Sequence, residues 1–359
     1  MKKNDAELEK QFARTLLKWN KEKNKRQMPW KGEKDPYRIW LSEIILQQTR
    51  VEQGLNYYNN FINTFPGIHE LAAAPDNKVF KLWEGLGYYT RCRNLLATAR
   101  YISKELQGKF PDSYENIKAL KGIGPYTAAA ISSFAFNLPY AVVDGNVFRV
   151  LARIFGIGTA VDSTTGKKLF TALAEKLLDK KQPGLYNQAI MDFGAIVCKP
   201  ASPHCSTCVF NKKCFAFLHD KVNELPVKEK KINIRKRWFY YLVIEYRNDI
   251  AIRQRVEKDI WRDLYEFPLI EVAKKETSGK ILQQAEKNKW IVKASAQPGI
   301  VSAVFSQQLS HQLISGQFIK LQLKQKPILS NDWIWIKKNR ISNYPFPGFI
   351  NQWLSGQRF

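Results

Sequence analysis

From Asp5 to about Leu218 apolar residues recur at helical spacing, in segments punctuated by Gly and Pro. Trp40, Ile44, Val51, Leu55, Tyr58 and Ile62 keep that spacing, with a break expected near Gln47-Gln48-Thr49. FPG at 65–67, GLG at 85–87, FPD at 110–112 and QPG at 182–184 separate further helices. Later the texture changes. WFYYLVIEY (238–246), an Asn248-Asp249 turn and IAIRQR (250–255) predict a β-hairpin. DWIWIKK (332–338) predicts another strand, and ILQQAEKNKW (281–290) a helix. Between the two textures, ELPVKEKKINIRKR (224–237) is basic and poor in large apolar residues, so it reads as a linker, a solvated charge run with contact to a DNA backbone as the alternative. The expected organisation is multidomain: an all-α domain over 1–220, a basic linker over 221–237 and an α+β domain over 238–359.

Composition agrees. A chain of 359 residues exceeds what one core usually serves, and 45% hydrophobic with 13% aromatic content supplies two. The formal net charge of +25 favours a polyanionic partner, nucleic acid before a membrane surface. The opening MKKNDAELEKQF has no apolar core of a secretory signal, and no apolar run is long enough to span a bilayer. A cytoplasmic setting and no membrane partner are expected.

Four of the five cysteines fall within CKPASPHCSTCVFNKKC, as Cys198-x6-Cys205-x2-Cys208-x5-Cys214. Four soft thiolates on one short loop point to metal; zinc and a 4Fe–4S cluster both accept such a set. Cys92 stands apart and reads as a small buried residue. Upstream, ALKGIGPYTAAAISSFAF (119–136) reads as helix, Gly-Ile-Gly turn, helix. Gly122 and Gly124 permit close backbone approach, and Pro125 suits a first helical turn. Such a turn either joins two helices or holds a DNA phosphate on its amides.

A helix–hairpin–helix followed by that cysteine loop resembles the iron–sulfur branch of the DNA glycosylase superfamily, to which endonuclease III also belongs. The resemblance covers the whole first domain. It implies a 4Fe–4S cluster on Cys198, Cys205, Cys208 and Cys214, in a loop whose Lys199, Lys212 and Lys213 suit DNA.

Three stretches separate the branches. LSEIILQQTRV (41–51) sets Glu43 among Trp40, Leu41, Ile44, Ile45 and Leu46, where burial would keep a carboxyl protonated as a general acid. VVDGNVFRVLARI (142–154) sets Asp144 just before a helical pattern, as an N-cap or as the carboxylate that stabilises a developing oxocarbenium ion. Where the endonuclease III branch carries a lysine stands Tyr126, so no Schiff-base lyase reaction is expected. Together these stretches resemble the MutY family, which removes adenine mispaired with 8-oxoguanine. The resemblance implies that Glu43 protonates adenine N7, Asp144 stabilises the sugar cation and Tyr126 orients the site. It implies that Arg26, Trp30 and Gln188 line the adenine pocket, that Asn146 lies near Asp144, and that Gln48 and Tyr88 push into the base stack. The expected partner is duplex DNA with an 8-oxoguanine:adenine or guanine:adenine mispair, bound by a monomer in a bacterial cytoplasm.

LYEFP (264–268) and LSHQ (309–312) are similar to the Nudix-like C-terminal domain of that family. Leu309-Ser310-His311 would match a Phe-Ser-His-like loop that touches 8-oxoguanine, with Phe305-Ser306-Gln307 as the alternative register. No Gly-x5-Glu-x7-Arg-Glu-x2-Glu-Glu box lies between Glu271 and Gln297, so the metal carboxylates of a pyrophosphatase are not expected.

Overall fold

The computed structural model describes residues 3–229, 233–291, 296–297, 299–326 and 332–357. By their contacts they form two units, residues 1–73 with 93–230 and residues 74–92 with 231–359. In chain order the helices of the first 220 residues are α1 (Lys3–Lys23), α2 (Pro36–Leu46), α3 (Val51–Thr64), α4 (Ile68–Ala73), α5 (Asp76–Trp83), α6 (Thr90–Glu105), α7 (Tyr114–Ala119), α8 (Pro125–Phe136), α9 (Gly145–Phe155), α10 (Thr164–Leu177), α11 (Pro183–Ile196) and α12 (Phe215–Leu218). Of these, α5 and the start of α6 belong to the second unit. No described helix is long and apolar enough to cross a membrane.

Local chemistry fixes where the site-bearing helices start and stop. The Asp35 carboxylate accepts the Tyr37 N–H and Pro36 opens α2. Ile39, Trp40, Leu41, Ile44 and Ile45 are buried, and Ser42 and Glu43 with them, as a helix apolar nearly all round demands. The expected break between α2 and α3 is present, with Gln48 at φ +57°. The Gly-Ile-Gly turn joins α7 to α8. Gly122 sits at φ +81°, and a Cβ there would lie 2.6 Å from the Cβ of Asn94. Asp144 caps α9, which ends on left-handed Gly156. Cys92 is fully buried.

Phe12, Leu16 and Trp19 of α1 share a core with Val150 and Leu151 of α9, Phe170 of α10 and Phe193 of α11. Phe210 and Cys214 join the same core, so the cysteine loop is built onto it. Helices α9 and α11 meet at Gly194, where an added Cβ would come within 2.6 Å of the Asn146 Cβ.

Among the described residues the second unit holds an eight-stranded mixed sheet: β1 (Arg235–Tyr246), β2 (Asp249–Gln254), β3 (Tyr265–Glu266), β4 (Leu269–Val272), β5 (Ala296–Gln297), β6 (Phe305–Gln308), β7 (Gln312–Leu323) and β8 (Trp333–Lys337). Central β1 runs parallel to β7 and antiparallel to β2 and β4. Both faces of β1 are covered. Tyr240, Leu242 and Ile244 pack with Ile281 and Ala285 of α13 (Ser278–Lys287). On the alternate positions, Tyr241 stacks on Phe318 and contacts Phe349 of α14 (Gly348–Leu354).

Two sequence expectations need correction here. The β1–β2 turn is Arg247-Asn248, because Tyr246 pairs with Asp249 in the ladder. Asp249 instead starts β2 and pairs with Lys326 and Lys337. Of the basic stretch 224–237, residues 230–232 lie outside the described residues, and 235–237 already belong to β1. Arg237 is not a solvated charge: it is buried and forks onto Asp259 and Glu271.

Replacing Gly194 by alanine forces that methyl into Asn146 and is expected to cost about 1–3 kcal/mol of stability in denaturant titrations. Wild-type stability would show that α9 and α11 have room to part.

Candidate active site

A cavity of about 310 Å3 opens in the first unit between α2, α8, α9 and α11. Its wall includes Glu43, Gln48, Tyr126, Asp144, Asn146 and Gln188, together with Arg26 and Trp30. Eight of the residues singled out from the sequence therefore converge on one cavity. Its volume is at the low end of small-ligand pockets, about 300–1,000 Å3.

Two carboxyl groups face it, held in different ways. Glu43 is 6% exposed and receives one hydrogen bond, from the Tyr126 hydroxyl at 2.7 Å. Burial pushes its carboxyl up from 4.5 to about 7; the Tyr126 bond pulls the other way and the Asp144 charge adds to the rise. Asp144 is the α9 N-cap. Its Oδ1 accepts the Val147 N–H at 2.7 Å and its Oδ2 the Asn146 amide at 2.8 Å. Burial raises this carboxyl too, opposed by those same bonds. They donate to the anion, as does the N-terminus of α9, so Asp144 is the better anion of the two. Asn146 is oriented in turn by Arg149, whose Nη2 donates to Asn146 Oδ1 and to the Gly194 carbonyl, both at 2.7 Å.

The wall behind Arg26 and Gln188 was not foreseen. Asp192, fully buried on α11, accepts from Arg26 at 2.9 Å, Lys31 at 3.0 Å, Asn24 at 2.8 Å and Gln188 at 3.1 Å. The available signal was an acid four residues after Gln188 in the apolar run AIMDFGAIV. Trp30 is both pocket wall and core, packed edge-on against Tyr58 at 5.2 Å.

The four loop cysteines surround a second, smaller cavity with Ile154, Phe193, Val197 and Phe217. Among the described residues no three His, Cys, Asp or Glu side chains close to the spacing of a single metal ion. Arg149 and Arg153 tie α9 to this loop, through the carbonyls of Cys198 and of Lys199 and Pro200.

Tyr88 and the 309–311 tripeptide belong to the second unit. The structure brings two of these residues together: the Tyr88 and Ser310 hydroxyls are hydrogen-bonded. Tyr88 stands in left-handed backbone, with the Arg91 guanidinium 5.6 Å from its ring centre. Leu309, Ser310 and His311 form the tip between β6 and β7, with Ser310 and His311 exposed. Phe305, Ser306 and Gln307 lie inside β6, paired with Gly316, Ser315 and Ile314. Gly122 and Gly124 lie at the exposed hairpin turn, and an added Cβ at Gly124 would meet nothing within 4 Å.

A helix–hairpin–helix unit with two unlike carboxyls at a base-sized cavity defines a base-excision enzyme. The HhH-GPD superfamily base excision DNA repair proteins match residues 41–179, and the NUDIX domain family matches residues 239–355. An adenine DNA glycosylase of Buchnera aphidicola subsp. Baizongia pistaciae is 34% identical over 333 residues, 91% of each chain. Its human counterpart is 41% identical over 214 residues, 57% of this chain and 39% of its own. Among solved structures, a thermostable thymine-DNA glycosylase superimposes with a TM-score of 0.55 at 30% identity, covering 60% of this chain and 98% of that one. Endonuclease III in a non-covalent DNA complex gives 0.51 at 18% identity, covering 62% and 98%, which speaks to fold alone. The chain belongs to the adenine DNA glycosylase family.

Removing the Tyr126 hydroxyl takes away the bond that lowers the Glu43 pKa. Tyr126→Phe is therefore expected to move the alkaline limb of kcat/KM for adenine release to higher pH. A limb that stays put or moves down would show that another donor governs Glu43.

Proposed function

We propose that the protein hydrolyses the glycosidic bond of adenine opposite 8-oxoguanine, or opposite guanine, in duplex DNA. The observation that carries the reading is the pair of unlike carboxyls: Glu43 buried and raised to about 7, Asp144 capped and hydrogen-bonded as an anion. With the base flipped into the cavity, Glu43 donates a proton to adenine N7 and makes it a better leaving group. Asp144 faces the sugar and stabilises the oxocarbenium ion that develops as the bond breaks. Glu43, now ionised, draws a proton from the water that completes hydrolysis. Tyr126 holds the Glu43 carboxyl in place and offers no amine, so the sugar is left as an intact abasic site. Arg26 and Gln188, both bonded to Asp192, and Trp30 shape the base pocket; Gln48 and Tyr88 enter the stack; the Gly122–Gly124 amides hold backbone phosphate.

The 309–311 tip supports Leu309-Ser310-His311 as the reader of the opposite base, since Ser310 and His311 are exposed between two strands whereas Phe305, Ser306 and Gln307 are paired along β6. Ser310 and His311 offer polar groups to the lesion, while Leu309 only packs. At the other end, Cys198, Cys205, Cys208 and Cys214 suit a 4Fe–4S cluster. What supports this is four thiols spaced around one cavity, as a cluster with four iron corners needs. When bound, the cluster anchors the 198–214 loop at four points and takes no part in bond breaking.

The test uses duplexes with adenine opposite 8-oxoguanine, followed by hot alkali. The wild-type product is expected to break only after alkali, whereas a lyase breaks the strand without it. Glu43→Gln and Asp144→Asn should each slow adenine release by at least about 100-fold while mispair binding survives. Near-normal turnover by either variant removes that carboxyl from the mechanism. The Ser310→Ala, His311→Ala double variant should still excise adenine but lose preference for 8-oxoguanine over guanine. At about 1 kcal/mol per lost hydrogen bond, the single-turnover ratio should fall several-fold or more. A wild-type ratio would place the lesion reader elsewhere.

A further inference from the structure

Arg153 is a buried cation that no carboxylate balances. It is 3% exposed, and among the described residues no acidic group pairs with it. Its neighbour one turn back differs: the Arg149 charge reaches Asp144 through the Asn146 amide. Arg153 instead spends its guanidinium on neutral acceptors. Its Nε donates to the Leu225 carbonyl at 3.0 Å, Nη1 to Lys199 at 2.7 Å and Nη2 to Pro200 at 3.1 Å. The remaining contact is sulfur: Nη1 lies 3.6 Å from Cys198 Sγ. The Arg153 carbonyl also accepts from the Cys214 thiol at 3.4 Å, so this one residue touches two of the four cysteines. It lines their cavity, whose other basic side chain, His204, is exposed.

Burying a charge is costly unless an opposite charge meets it. The apolar part of the cavity wall, Ile154, Phe193, Val197 and Phe217, offers no opposite charge to do so. Four thiolates on an iron–sulfur core carry net negative charge. We infer that Arg153 is the built-in counter-charge of the cluster: it holds the first cysteine's sulfur, neutralises the buried anion and thereby sets its reduction potential. This rests on the cluster reading given above. Arg153 is a positioning and tuning residue and takes no part in base removal.

The experiment uses full-length protein purified anaerobically. Visible absorption and iron content of the wild type come first; wild type without iron would sink the cluster reading itself. The potential is then read by voltammetry, where the electrode takes one electron from the cluster and no bond changes. A nearby cation favours the electron-richer state, so Arg153→Gln should show a more negative potential and lose iron to a chelator several-fold faster. Arg153→Lys returns the charge without the fork of donors; its potential should match wild type while its iron loss stays fast. A wild-type potential in the Gln variant overturns the proposal. If the Gln variant holds no cluster, the Lys variant decides: a wild-type potential supports the counter-charge, and a fallen potential overturns it.

Discussion

The start of α9 is the point on which the first unit turns. Asp144 ends an extended segment and begins a helix, and its carboxylate accepts the Val147 N–H because a first turn leaves its amides without partners. A cap of this kind contributes about 1 kcal/mol. It also fixes where the carboxylate points, since an oxygen bonded to its own helix cannot swing away from the cavity. From there the helix carries Asn146, Arg149 and Arg153 at the spacing of one face, so one rigid element runs from the Asp144 carboxylate to the cysteine loop. Close packing at Gly194 holds that element against α11, which brings Gln188 to the same cavity with Asp192 buried behind it.

The opposite wall works by withholding partners. Glu43 has apolar neighbours on α2 and a single donor in Tyr126, so its proton stays on. Raising a carboxyl from 4.5 to about 7 makes ionisation in place dearer by ~3 kcal/mol, at ~1.4 kcal/mol per unit. The sign for stability follows. The folded state binds this proton more tightly than the unfolded chain, so the contribution is whole below the ordinary value of 4.5 and fades as pH climbs through about 7. The same environment that makes Glu43 an acid at neutral pH thus makes it a liability to the fold in alkali.

Much of this was legible in the residues. The break at Gln47-Gln48-Thr49 showed as an interrupted helical period, and Asp144 as a capping residue ahead of a new one. Glu43 was legible because the residues on either side are apolar. What escaped was long-range: Asp192 collects Asn24, Arg26 and Lys31 from more than 150 positions away, and no local pattern announces such a pairing. Arg237 failed for a related reason. A basic stretch reads as solvated until two carboxylates, Asp259 and Glu271, are folded onto it. The assignment of residues 74–92 to the second unit is also a matter of contact rather than sequence, through bonds such as that from Phe346 N to Glu84.

Strain marks the remaining constraint. Gln48 and Tyr88 both adopt left-handed backbone, at φ +57° and +48°, where a residue with a Cβ loses about 1–2 kcal/mol relative to the right-handed regions. Glycine would relieve that cost at either site. Each of the two strained residues projects a group that glycine could not supply, Gln48 into the cavity wall and the Tyr88 hydroxyl onto Ser310. The fold tolerates the strain because the neighbouring elements over-determine it. Helix α2 is buried before Gln48, and the Trp83 indole donates to the Gly87 carbonyl just before Tyr88. Both strained residues sit at the junction between a helix and a turn, Gln48 after α2 and Tyr88 before α6, so each side chain starts from a fixed base.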